Sequence, residues 1–511
     1  MLRRREGGRA ARKAQRAAGP AVSPCPPGAV GGQYRPLSAP DLAAVIDTAH
    51  RILAEIGMDQ VPPVLREAAL AKGAGTSALG RLTFSRAMVE DIIDGACKGF
   101  TLHGRAPGQD IEIGGNRVFY GTGGAAVQTQ DLETGRYRAA TLADLYDFTR
   151  LIDRLDRVSW FTRCCIATDI ADVFEQEVNT AYTLLAGTTK PIGMSFTLGA
   201  HVDAVIDMFD LALGRDGTHA DRPFCKAHIS PVISPLRYGE DAVAVTEACI
   251  RRRVPINAII AAQSGATAPA APAGMLAHTT AETLAALVMV NVFAPGYPMI
   301  FSNWPFVIDL RTGAFCGGGG EISVMNAAAA QIGNHLGLPS GVACSMSDAK
   351  APDAQMGMEK AISAVACGLA GANMVYESAG MMGSLLGASF EAFVLDDEML
   401  GHVQRMIRGV EVNEETLGFD AILAAATGEG HFLGADHTIA AMQRDYFYPK
   451  LADRDPPAVW NERGGPDIRA AARERARAIL LDHRPNHLSA AADRAIRDRF
   501  AIKLDLEPAR G

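Results

Sequence analysis

Short apolar runs recur along the chain from residue 118 onwards, and each is followed by a longer segment of helix length. The apolar runs span residues 118–120, 158–165, 192–196, 224–230, 256–263, 299–304, 342–345 and 373–377. The longer segments span residues 142–152, 172–185, 202–213, 239–252, 275–293, 321–335, 354–369 and 391–410. Short runs are typical of buried strands, and longer segments of helices that pack on a sheet. The pattern predicts eight strands that alternate with eight helices.

This alternation indicates an α/β fold with parallel strands. Parallel neighbours need a crossover of a dozen or more residues, and the spacing of roughly 30 to 40 residues between the apolar runs provides one. The simplest closed arrangement is a (β/α)8 TIM barrel. An open doubly wound sheet is the alternative, but GTGGAA at residues 121–126 only partly matches its GxGxxG phosphate-binding fingerprint.

Residues 117–411 form the predicted barrel, and the segments on either side of it have different patterns. Residues 34–116 combine three helical stretches with a hairpin-like pair of strands, and Ser38 and Ser85 stand at N-cap positions. Residues 412–511 contain Arg-, Ala- and Asp-rich stretches with a narrow apolar stripe, typical of surface helices. Such helices are suited to covering the barrel base or joining subunits, so a homo-oligomer is a hypothesis.

Residues 1–33 are predicted to be a disordered basic tail and a linker. The tail begins MLRRREGGRAARKAQRAAG, and PAVSPCPPGAVGGQ follows it. An arm that contacts nucleic acid or a membrane surface is the alternative for the tail. A secretory signal is not indicated, because the tail lacks a central apolar stretch.

Composition narrows the function classes. The 511 residues are 48% apolar and 21% charged, with a net charge of −8, so no nucleic-acid partner is indicated. Nine cysteines occur without a CxxC pair, which favours reduced thiols and a cytoplasmic protein. Residues 283–294 come nearest to a membrane span but are too short for one, so a core helix is expected there.

Strand alternation predicts which polar side chains face the barrel interior. The polar residues of one parity are Lys226, His228 and Ser230 on the fourth strand, Asn257 and Gln263 on the fifth, and Asn373 and Glu377 on the eighth. Those late in their strands are expected at the C-terminal mouth, where barrel enzymes keep their active sites. The deeper ones are expected to form a hydrogen-bonded floor. For Lys226 a Schiff-base role is the alternative, since a desolvated lysine can act as a nucleophile.

Two loops at the same mouth carry further candidate residues. The loop after the seventh strand contains Asp348, and Asp353 stands at the N-cap of the next helix. The loop after the sixth strand reads FSNWPFVIDLRTGAFCGGGGEIS, and its glycine run opens a helix whose free N–H groups can hold an anion. A flexible connection, or close backbone packing, is the alternative for this run.

Aromatic residues from the same loop are expected at the mouth near Glu377. They are Trp304, Phe306 and Phe315. Aromatic rings beside a carboxylate suit a quaternary ammonium group, because each ring face attracts a desolvated cation by roughly 0.5 to 2 kcal/mol. Ordinary core or lid packing is the alternative for each ring taken alone.

Four motifs, in order along the chain, resemble the trimethylamine methyltransferase superfamily. They are the CGGGGE approach to a helix, SDAKAPDAQMGMEK, GANMVYESAGMM and GEGHFLGADHT. The resemblance, over roughly residues 35 to 460, implies a (β/α)8 barrel that transfers a methyl group from a methylated amine to cobalt(I) of a separate corrinoid protein. It also implies that the corrinoid protein docks over the barrel mouth and that the chain itself holds no tightly bound cofactor. The archaeal trimethylamine enzymes of this superfamily contain pyrrolysine, which this sequence lacks, so the resemblance points to quaternary amines such as glycine betaine.

Position along the predicted strands, rather than the family, suggests a role for each candidate. Glu377 is the charge partner of the cation; His228 and Gln263 orient it. Trp304 and Phe306 form aromatic walls, with Phe315 and Ser230 at the rim. The N–H groups near Gly319 and Gly320 form a seat for a betaine carboxylate, and Asp348 lines the site or contacts the corrinoid protein.

Other functions remain open from the sequence. One is a methyltransferase for trimethylamine itself, and another is a barrel that binds a betaine without turnover. A zinc-dependent methyltransferase needs three close ligands. His431 and His437 lack a companion cysteine, so no metal site is predicted there. The sequence has no glycine fingerprint that would indicate the use of S-adenosylmethionine.

Overall fold

The computed structural model describes residues 23–428 and 430–506, and an eight-stranded parallel sheet lies at its centre. The strands are β1 Phe119–Tyr120, β2 Phe161–Thr162, β3 Ile192–Ser195, β4 Cys225–Ile229, β5 Ile256–Ile260, β6 Met299–Asn303, β7 Ser340–Ala343 and β8 Met374–Tyr376. Each strand lies within one of the predicted apolar runs or overlaps it. The prediction of eight strands is therefore confirmed.

The sheet is closed into a barrel. Neighbouring strands pair in parallel from β2 through β8, and β8 pairs with β1 through Met374 opposite Phe119. A parallel bridge between Gly121 and Trp160 joins the remaining two edges, β1 and β2. This closure confirms the barrel and excludes the open doubly wound sheet.

Helices connect the strands as crossovers. They are α1 Leu142–Asp153, α2 Val173–Gly187, α3 Gly199–Leu213, α4 Glu240–Arg251, α5 Pro272–Phe293, α6 Gly320–His335, α7 Ala354–Ala370 and α8 Phe390–Arg408. Side-chain caps define several of their starts, since the side chains of Thr141, Asp172, Asp353 and Ser389 accept hydrogen bonds from first-turn N–H groups. The N-cap predicted at Asp353 is confirmed.

Helix α5 is the one helix among the described residues that is long and apolar enough to cross a membrane. Its most apolar window is 94% buried inside the protein, where it packs against β5, β6 and the N-terminal helices. It therefore has the surroundings of a core helix, as the sequence predicted.

The N-terminal layer packs on α5 and on the barrel floor. It comprises helices Ala39–Arg51, Pro63–Ala71 and Arg86–Gly95, a π-helical turn Ile52–Ile56, and antiparallel strands Gly99–Leu102 and Ile111–Gly114. Ser38 and Ser85 cap their helices as predicted. Residues 23–33 run along the barrel, with Gly31 N–H donating to the Asn116 carbonyl. The predicted disordered tail, residues 1–22, lies outside the described residues.

Short strands build the loops at the C-terminal mouth. They are Gln128–Gln130, Tyr137–Ala139, Met381–Met382 and Gly387–Ser389 in one sheet, and the pairs Val232–Ile233 with Arg237–Tyr238 and Val307–Ile308 with Phe315–Cys316. A further pair, Gly75–Thr76 with Leu82–Thr83, lies in the N-terminal layer. The mouth loops are thus hydrogen-bonded structures that can hold side chains in fixed positions.

The C-terminal extension has two parts. Helices Ile468–Asp482 and Ala490–Arg499 pack on the barrel helices, the first held to α8 by ion pairs from Arg469 and Arg473 to Glu391. The preceding helices, Glu414–Leu417, Phe419–Thr427, Asp436–Arg444 and Pro457–Glu462, contain no buried residue.

The hydrophobic core has an outer cluster, between the sheet and the helices, and an inner cluster inside the barrel. An outer cluster lies between strands and helices and includes Val375 of β8. A smaller inner cluster fills the barrel and includes Trp160, Trp304, Phe306 and Tyr376. The inner cluster is rich in aromatic residues, and the candidate site lies above it.

Candidate functional site

Lys226 occupies the middle of the barrel, where β4 directs it inwards as predicted. It is fully buried, its Nζ lies 3.2 Å from Thr162 Oγ1, and it lies over the rings of Tyr376 (4.9 Å to the centroid) and Trp160 (5.5 Å). Burial lowers the pKa of the Lys226 amine to about 7. The amine therefore loses much of its charge near neutral pH.

The deeper asparagines have structural contacts, in keeping with the predicted floor. Asn373 donates to the carbonyls of Gly115 and Arg117 and accepts from Ser340 N–H, so it fixes the start of β8 to the segment that enters β1. Asn257 Oδ1 accepts a hydrogen bond from Ser302. The Schiff-base role of Lys226 stays a prediction.

His228 lies one step higher on the same face of β4, within an aromatic wall. Its ring centroid is 5.0 Å from that of Tyr376 and 6.3 Å from that of Trp304, both edge to face. Burial lowers the pKa of the imidazole well below 6.5, and the charges of Lys226 and Arg163 add to this effect. The buried Nε2 has no hydrogen-bond partner among the described residues. A neutral ring with a free nitrogen suits an orienting role.

The aromatic wall continues from the barrel interior to the mouth. Ring centroids are 5.2 Å apart for Tyr376 and Trp304, 6.0 Å for Trp304 and Phe306, and 4.9 Å for Phe306 and Phe315. Trp304 and Phe306 are buried, whereas Phe315 is half-buried. The predicted clustering of Trp304, Phe306 and Phe315 is thus present in the structure, and Tyr376 extends it inwards.

Glu377 follows β8 directly, and its carboxyl group is buried beside the loop after β1. It is 3% exposed, and its Oε2 has no hydrogen-bond partner among the described residues. Burial raises the pKa of Glu377 to about 8, although the charge of Lys360 opposes part of that rise. A buried carboxyl without a partner is costly, so such groups often mark functional sites.

The predicted orientation of β8 is wrong. Met374 and Tyr376 belong to the inner aromatic cluster and Val375 to the outer core, so Asn373 and Glu377 do not share the inward face by simple alternation. Glu377 has a backbone φ of 63°, which is rare for a residue with a side chain. The strand has already ended at this residue, and alternation no longer determines where its carboxyl group lies.

The loop after β1 packs directly on that carboxyl group. A Cβ atom added to Gly123 would lie 2.7 Å from Glu377 Oε1, and one added to Gly124 would lie 2.9 Å from Oε2. Gly124 also has a φ of 99°. Sequence reasoning considered GTGGAA only as a phosphate fingerprint and missed this contact; the signal available was the glycine pair itself.

A buried ion pair joins the loops that follow β7 and β8. Lys360 Nζ lies 2.9 Å from Asp396 Oδ2 and donates to the Ser345 carbonyl at 2.8 Å. Asp396 Oδ2 also accepts from Gly380 N–H at 2.7 Å. The pair therefore positions the backbone on both sides of Glu377. Sequence reasoning missed it, because neither residue lies in a loop.

Asp348 connects three mouth loops rather than standing free. Its carboxylate accepts from Gly317 N–H (2.8 Å), Gly318 N–H (3.3 Å) and Ser384 Oγ (2.8 Å). Two of the four backbone N–H groups of the glycine run, those of Gly317 and Gly318, therefore already donate hydrogen bonds to Asp348.

Gly319 and Gly320 form the N-cap and first residue of α6. Nearby carboxylates are those of Glu321, which lies 3.0 Å from a Cβ built at Gly319, and of Glu359 beside Gly318. These negative charges disfavour an anion. The predicted carboxylate seat at these two glycines is tested by no contact and stays a prediction.

Gln263 and Ser230 lie at the rim. Gln263 follows β5, pairs through its backbone with Phe306, and is half-buried, while its side-chain amide forms no hydrogen bond with the described residues. Ser230 is exposed directly after β4. Both lie at the mouth, as predicted for residues late in their strands.

Arg163 is a further candidate that sequence reasoning missed. It follows β2, is half-buried, and forms no hydrogen bond or ion pair with the described residues. Its charge contributes to lowering the pKa of His228, so the guanidinium lies near the aromatic wall. An arginine at the end of a predicted barrel strand was the available signal.

The histidines of the C-terminal motif do not form a metal site within the described residues. His437 is the second residue of the helix Asp436–Arg444, and its Nε2 lies 3.1 Å from the Glu415 carbonyl. Neither His431 nor His437 belongs to the one described cluster of His, Cys, Asp and Glu side chains with metal-binding spacing.

A family model and several known proteins match most of the chain. The family model described as trimethylamine methyltransferase (MTTB) matches residues 5–505. A trimethylamine methyltransferase of Desulfitobacterium hafniense (strain DSM 10664 / DCB-2) is 31% identical over 401 residues, which cover 78% of this chain and 80% of the relative. A glycine betaine methyltransferase of Desulfitobacterium hafniense (strain Y51) is 26% identical over 434 residues, which cover 84% and 88% respectively.

A solved structure also aligns over most of the chain. The monomethylamine methyltransferase of Methanosarcina barkeri is 12% identical, with a TM-score of 0.47 over 89% of this chain and 96% of that one. The family match extends over nearly all the residues that build the barrel and its mouth. The chain therefore belongs to the trimethylamine methyltransferase (MTTB) family, whose members transfer methyl groups from methylated amines to a partner corrinoid protein.

Proposed function

We propose that this methyltransferase takes its methyl group from a quaternary amine, glycine betaine or a related betaine, and transfers it to cobalt(I) of a cognate corrinoid protein. The observation that carries the proposal is the buried carboxyl group of Glu377, whose Oε2 has no hydrogen-bond partner in the described part of the chain. A quaternary ammonium group would give this carboxyl group the positively charged partner that it lacks among the described residues. It has no N–H to donate, so recognition must rely on charge and ring faces.

The aromatic wall supports the same substrate class. Tyr376, Trp304 and Phe306 line a continuous path from the barrel interior to the mouth. Ring faces stabilise a desolvated cation by about 0.5 to 2 kcal/mol each. The wall also excludes water, which strengthens the attraction between the cation and an ionised Glu377.

The basic groups close to the aromatic wall carry little positive charge that would repel a bound cation. His228 is neutral at physiological pH, and the Lys226 amine, with a pKa of about 7, is only partly charged. A bound quaternary ammonium favours the ionised form of Glu377. The site therefore gains its negative charge when the substrate arrives.

Quaternary amines also fit the residues available for chemistry. The sequence contains only the twenty standard residues and so has no pyrrolysine. A quaternary nitrogen leaves as a neutral tertiary amine, so its methyl carbon needs no prior activation. The corrinoid supplies a cobalt(I) nucleophile; the protein then has to orient one methyl group towards the mouth and exclude water, which is a positioning task.

Arg163 favours a substrate with a carboxylate. Its guanidinium contributes to lowering the pKa of the His228 imidazole and forms no hydrogen bond or ion pair with the described residues, although the charge of Glu177 acts on it and opposes the lowering of the Arg163 pKa by burial. Arginine binds carboxylates through two parallel N–H groups. The glycine run is the less favourable seat, since Asp348, Glu321 and Glu359 surround it. We assign the betaine carboxylate to Arg163.

Exposed apolar residues around the mouth support docking of the corrinoid protein there. They come from the loops after six of the eight strands: Val127, Val173, Leu198, Ile233, Leu310 and Leu386. Exposed apolar side chains at one end of a molecule are typical of a protein-binding surface. The nine cysteines, all unpaired, are consistent with the reducing compartment that cobalt(I) requires, so we place the reaction in the cytoplasm.

The test is methyl transfer with purified components. The chain is mixed with its reduced corrinoid protein and either glycine betaine or trimethylamine, and the cobalt absorbance and the demethylated amine are measured. We expect dimethylglycine from glycine betaine and no turnover of trimethylamine. Turnover of trimethylamine alone would overturn the substrate class. Tight binding of betaines without any transfer would identify a barrel that only binds them.

Glu377→Gln tests the residue that carries the proposal. The variant keeps the shape of the side chain but cannot ionise, so we expect kcat/KM to fall by roughly 100-fold or more. Glu321→Gln is the matched control, because that carboxyl group lies at the start of α6 outside the aromatic wall. Equal kcat/KM values for Glu377→Gln and wild type would remove Glu377 from the site.

A further inference from the structure

Three potential metal ligands meet on the opposite side of the barrel from the mouth. Asp153 is the last residue of α1, and His483 and His487 follow the helix Ile468–Asp482. Asp153 Oδ2 lies 2.8 Å from His483 Nε2 and 3.0 Å from His487 Nε2. All three ligand atoms lie within 4.8 Å of one another. Barrel helices end at the base, so this group lies far from the methyl-transfer site.

The spacing suits a shared cation. Ligand atoms bound tetrahedrally, each about 2.0 to 2.1 Å from Zn²⁺, lie about 3.3 to 3.4 Å apart, so the two observed nitrogen–oxygen distances have to widen by only about 0.3 to 0.6 Å. Both imidazoles already direct Nε2 to Asp153 Oδ2, and their ring centroids are 6.4 Å apart.

The segment that carries both histidines is held before any ligand arrives. Arg150 Nη1 donates to the carbonyl of His483, Tyr146 Oη donates to that of Pro485, and His487 N–H donates to that of Ala186. These contacts fix the backbone on both sides of the histidine pair. Pre-positioned ligands cost little conformational entropy when a metal binds.

Asp153 is oriented in the same way. Its Oδ1 accepts from Thr188 Oγ1 at 2.8 Å, which leaves Oδ2 directed to the two imidazoles. Outer-shell contacts of this kind are a regular feature of metal sites.

Two cations lie nearby and have other partners. Lys190 Nζ donates to the carbonyls of Ile152, Leu155 and Val158, and Arg105 donates to those of Leu185 and Thr188. Two of these five carbonyls, those of Ile152 and Leu185, belong to the C-terminal ends of α1 and α2, which carry partial negative charge. The helix ends thus offset the two cations, and Asp153 remains available to a metal.

We propose that Asp153, His483 and His487 bind one divalent transition-metal cation, of which Zn²⁺ is the representative. Imidazole nitrogen and carboxylate oxygen are its usual ligands. The side chains of both histidines are partly exposed, at 21% and 26%, so an ion and completing waters can reach them. Bound there, the cation fastens the C-terminal extension to the barrel base. The proposal is independent of the methyl-transfer chemistry.

The direct test is metal binding by the full-length chain. Chelator-treated, metal-free protein is dialysed against Zn²⁺ and analysed for metal content, and Co²⁺ is bound in parallel to record imidazole coordination by its absorption spectrum. We expect one equivalent per chain. Failure of the wild-type chain to take up an equivalent of either metal would overturn the proposal and identify a purely hydrogen-bonded cluster.

Variants locate the binding. His483→Gln/His487→Gln keeps hydrogen-bonding side chains but removes both nitrogen ligands, so we expect the Zn²⁺ affinity to fall at least about 100-fold. His335→Gln, an exposed histidine on another helix, is the matched control and should bind as wild type does. Uptake that persists unchanged in the double variant would place the metal elsewhere and overturn the assignment.

A second measurement separates metal loss from misfolding. Zn²⁺ should raise the melting temperature of the wild-type chain and of His335→Gln, because it binds the folded state. It should leave that of the double variant unchanged, while circular dichroism shows a folded barrel. An equal Zn²⁺-dependent rise in the double variant would contradict the proposal.

Discussion

Glu377 is protonated in the free enzyme at neutral pH, which has consequences for substrate binding. Its pKa of about 8 results from burial, which disfavours the charged form. A quaternary ammonium group needs the ionised form as its partner. Below pH 8 the carboxyl group must therefore release a proton before it can pair with the cation.

The affinity for a quaternary ammonium ligand should accordingly rise with pH. We expect the Kd to fall by up to tenfold per pH unit as pH rises from 6 towards 8, and to level off above it. Deprotonation of Lys226, with a pKa of about 7, acts in the same direction, while neutral His228 contributes no change. Calorimetric titration from pH 6 to 9.5 measures this. Glu377→Gln should retain only the shallow change near pH 7; an equally steep profile in that variant would contradict the assignment.

Gly124 is required by the carboxyl group it touches. In Gly124→Ala the new Cβ would lie 2.9 Å from Glu377 Oε2 and 2.7 Å from Met381 Cε, at a φ of 99°. We expect the folded state to lose roughly 1 to 2 kcal/mol through backbone strain, and kcat/KM to fall at least tenfold through displacement of Glu377.

The matched control is Gly108→Ala. Gly108 has a φ of 80°, but a Cβ there meets no atom within 4 Å. It should therefore show a similar loss in the free energy of unfolding by urea denaturation and unchanged methyl transfer. A parallel loss of activity in both variants would mean that Gly124 affects the site only through stability.

At the scale of elements, the ion pair of Lys360 on α7 with Asp396 on α8 holds the two loops around Glu377. Both side chains are 1% exposed. Lys360→Met leaves a buried carboxylate without its cation, so we expect it to lower the free energy of unfolding by about 3 to 5 kcal/mol. Urea denaturation measures it.

The double variant Lys360→Met/Asp396→Leu shows whether charge is the cause. Replacing both partners with apolar residues removes the unpaired charge, so this variant should be more stable than Lys360→Met alone. Additive losses in the double variant would attribute the effect to packing.

The strands differ in how much of their orientation the sequence could reveal. On β4 the alternation of Lys226 and His228 with apolar residues correctly predicted the inward face, because the strand is five residues long and polar residues mark that face. On β8 only three residues, all apolar, form the strand, so no polar pattern distinguishes its faces. Glu377 follows the strand with a positive φ, which residue type does not reveal, and its carboxyl group lies beside Gly123 and Gly124.

The loops show the same division. Helix caps at Ser38, Ser85 and Asp353 depend on local hydrogen bonds and could be predicted from residue type. The packing of Gly123 and Gly124 on Glu377 brings together the loops that follow the first and the last barrel strand. These residues are far apart in the sequence, so no local pattern predicts the contact. Arg163 was missed for a related reason, since its importance arises from a neighbour two strands away.

For the whole molecule, residues 410–428 and 430–448 expose several large apolar side chains to solvent. Val410, Phe419 and Leu433 are 87%, 70% and 73% exposed, and the helices between them, four to nine residues long, contain no buried residue. Helices this short need tertiary packing to persist in water. A second copy of the chain would supply it, in line with the homo-oligomer hypothesis.

We therefore expect the purified chain to be oligomeric by light scattering, and Phe419→Asp/Leu433→Asp to lower its mass towards that of one chain. Leu79→Asp, at an equally exposed leucine of the N-terminal layer, should leave the mass unchanged. A wild-type chain that is monomeric at micromolar concentration would contradict this.

The contact between Glu377 and the glycines after β1 has a consequence for biosynthesis. β1 and β8 are the first and last barrel strands to leave the ribosome, and the carboxyl group of the site comes to rest where they meet. A nascent chain that ends before β8 has the aromatic residues Trp160 and Trp304 but lacks the carboxyl group proposed to pair with the ammonium ion. On this proposal, catalytic competence arises only when the final strand closes the barrel.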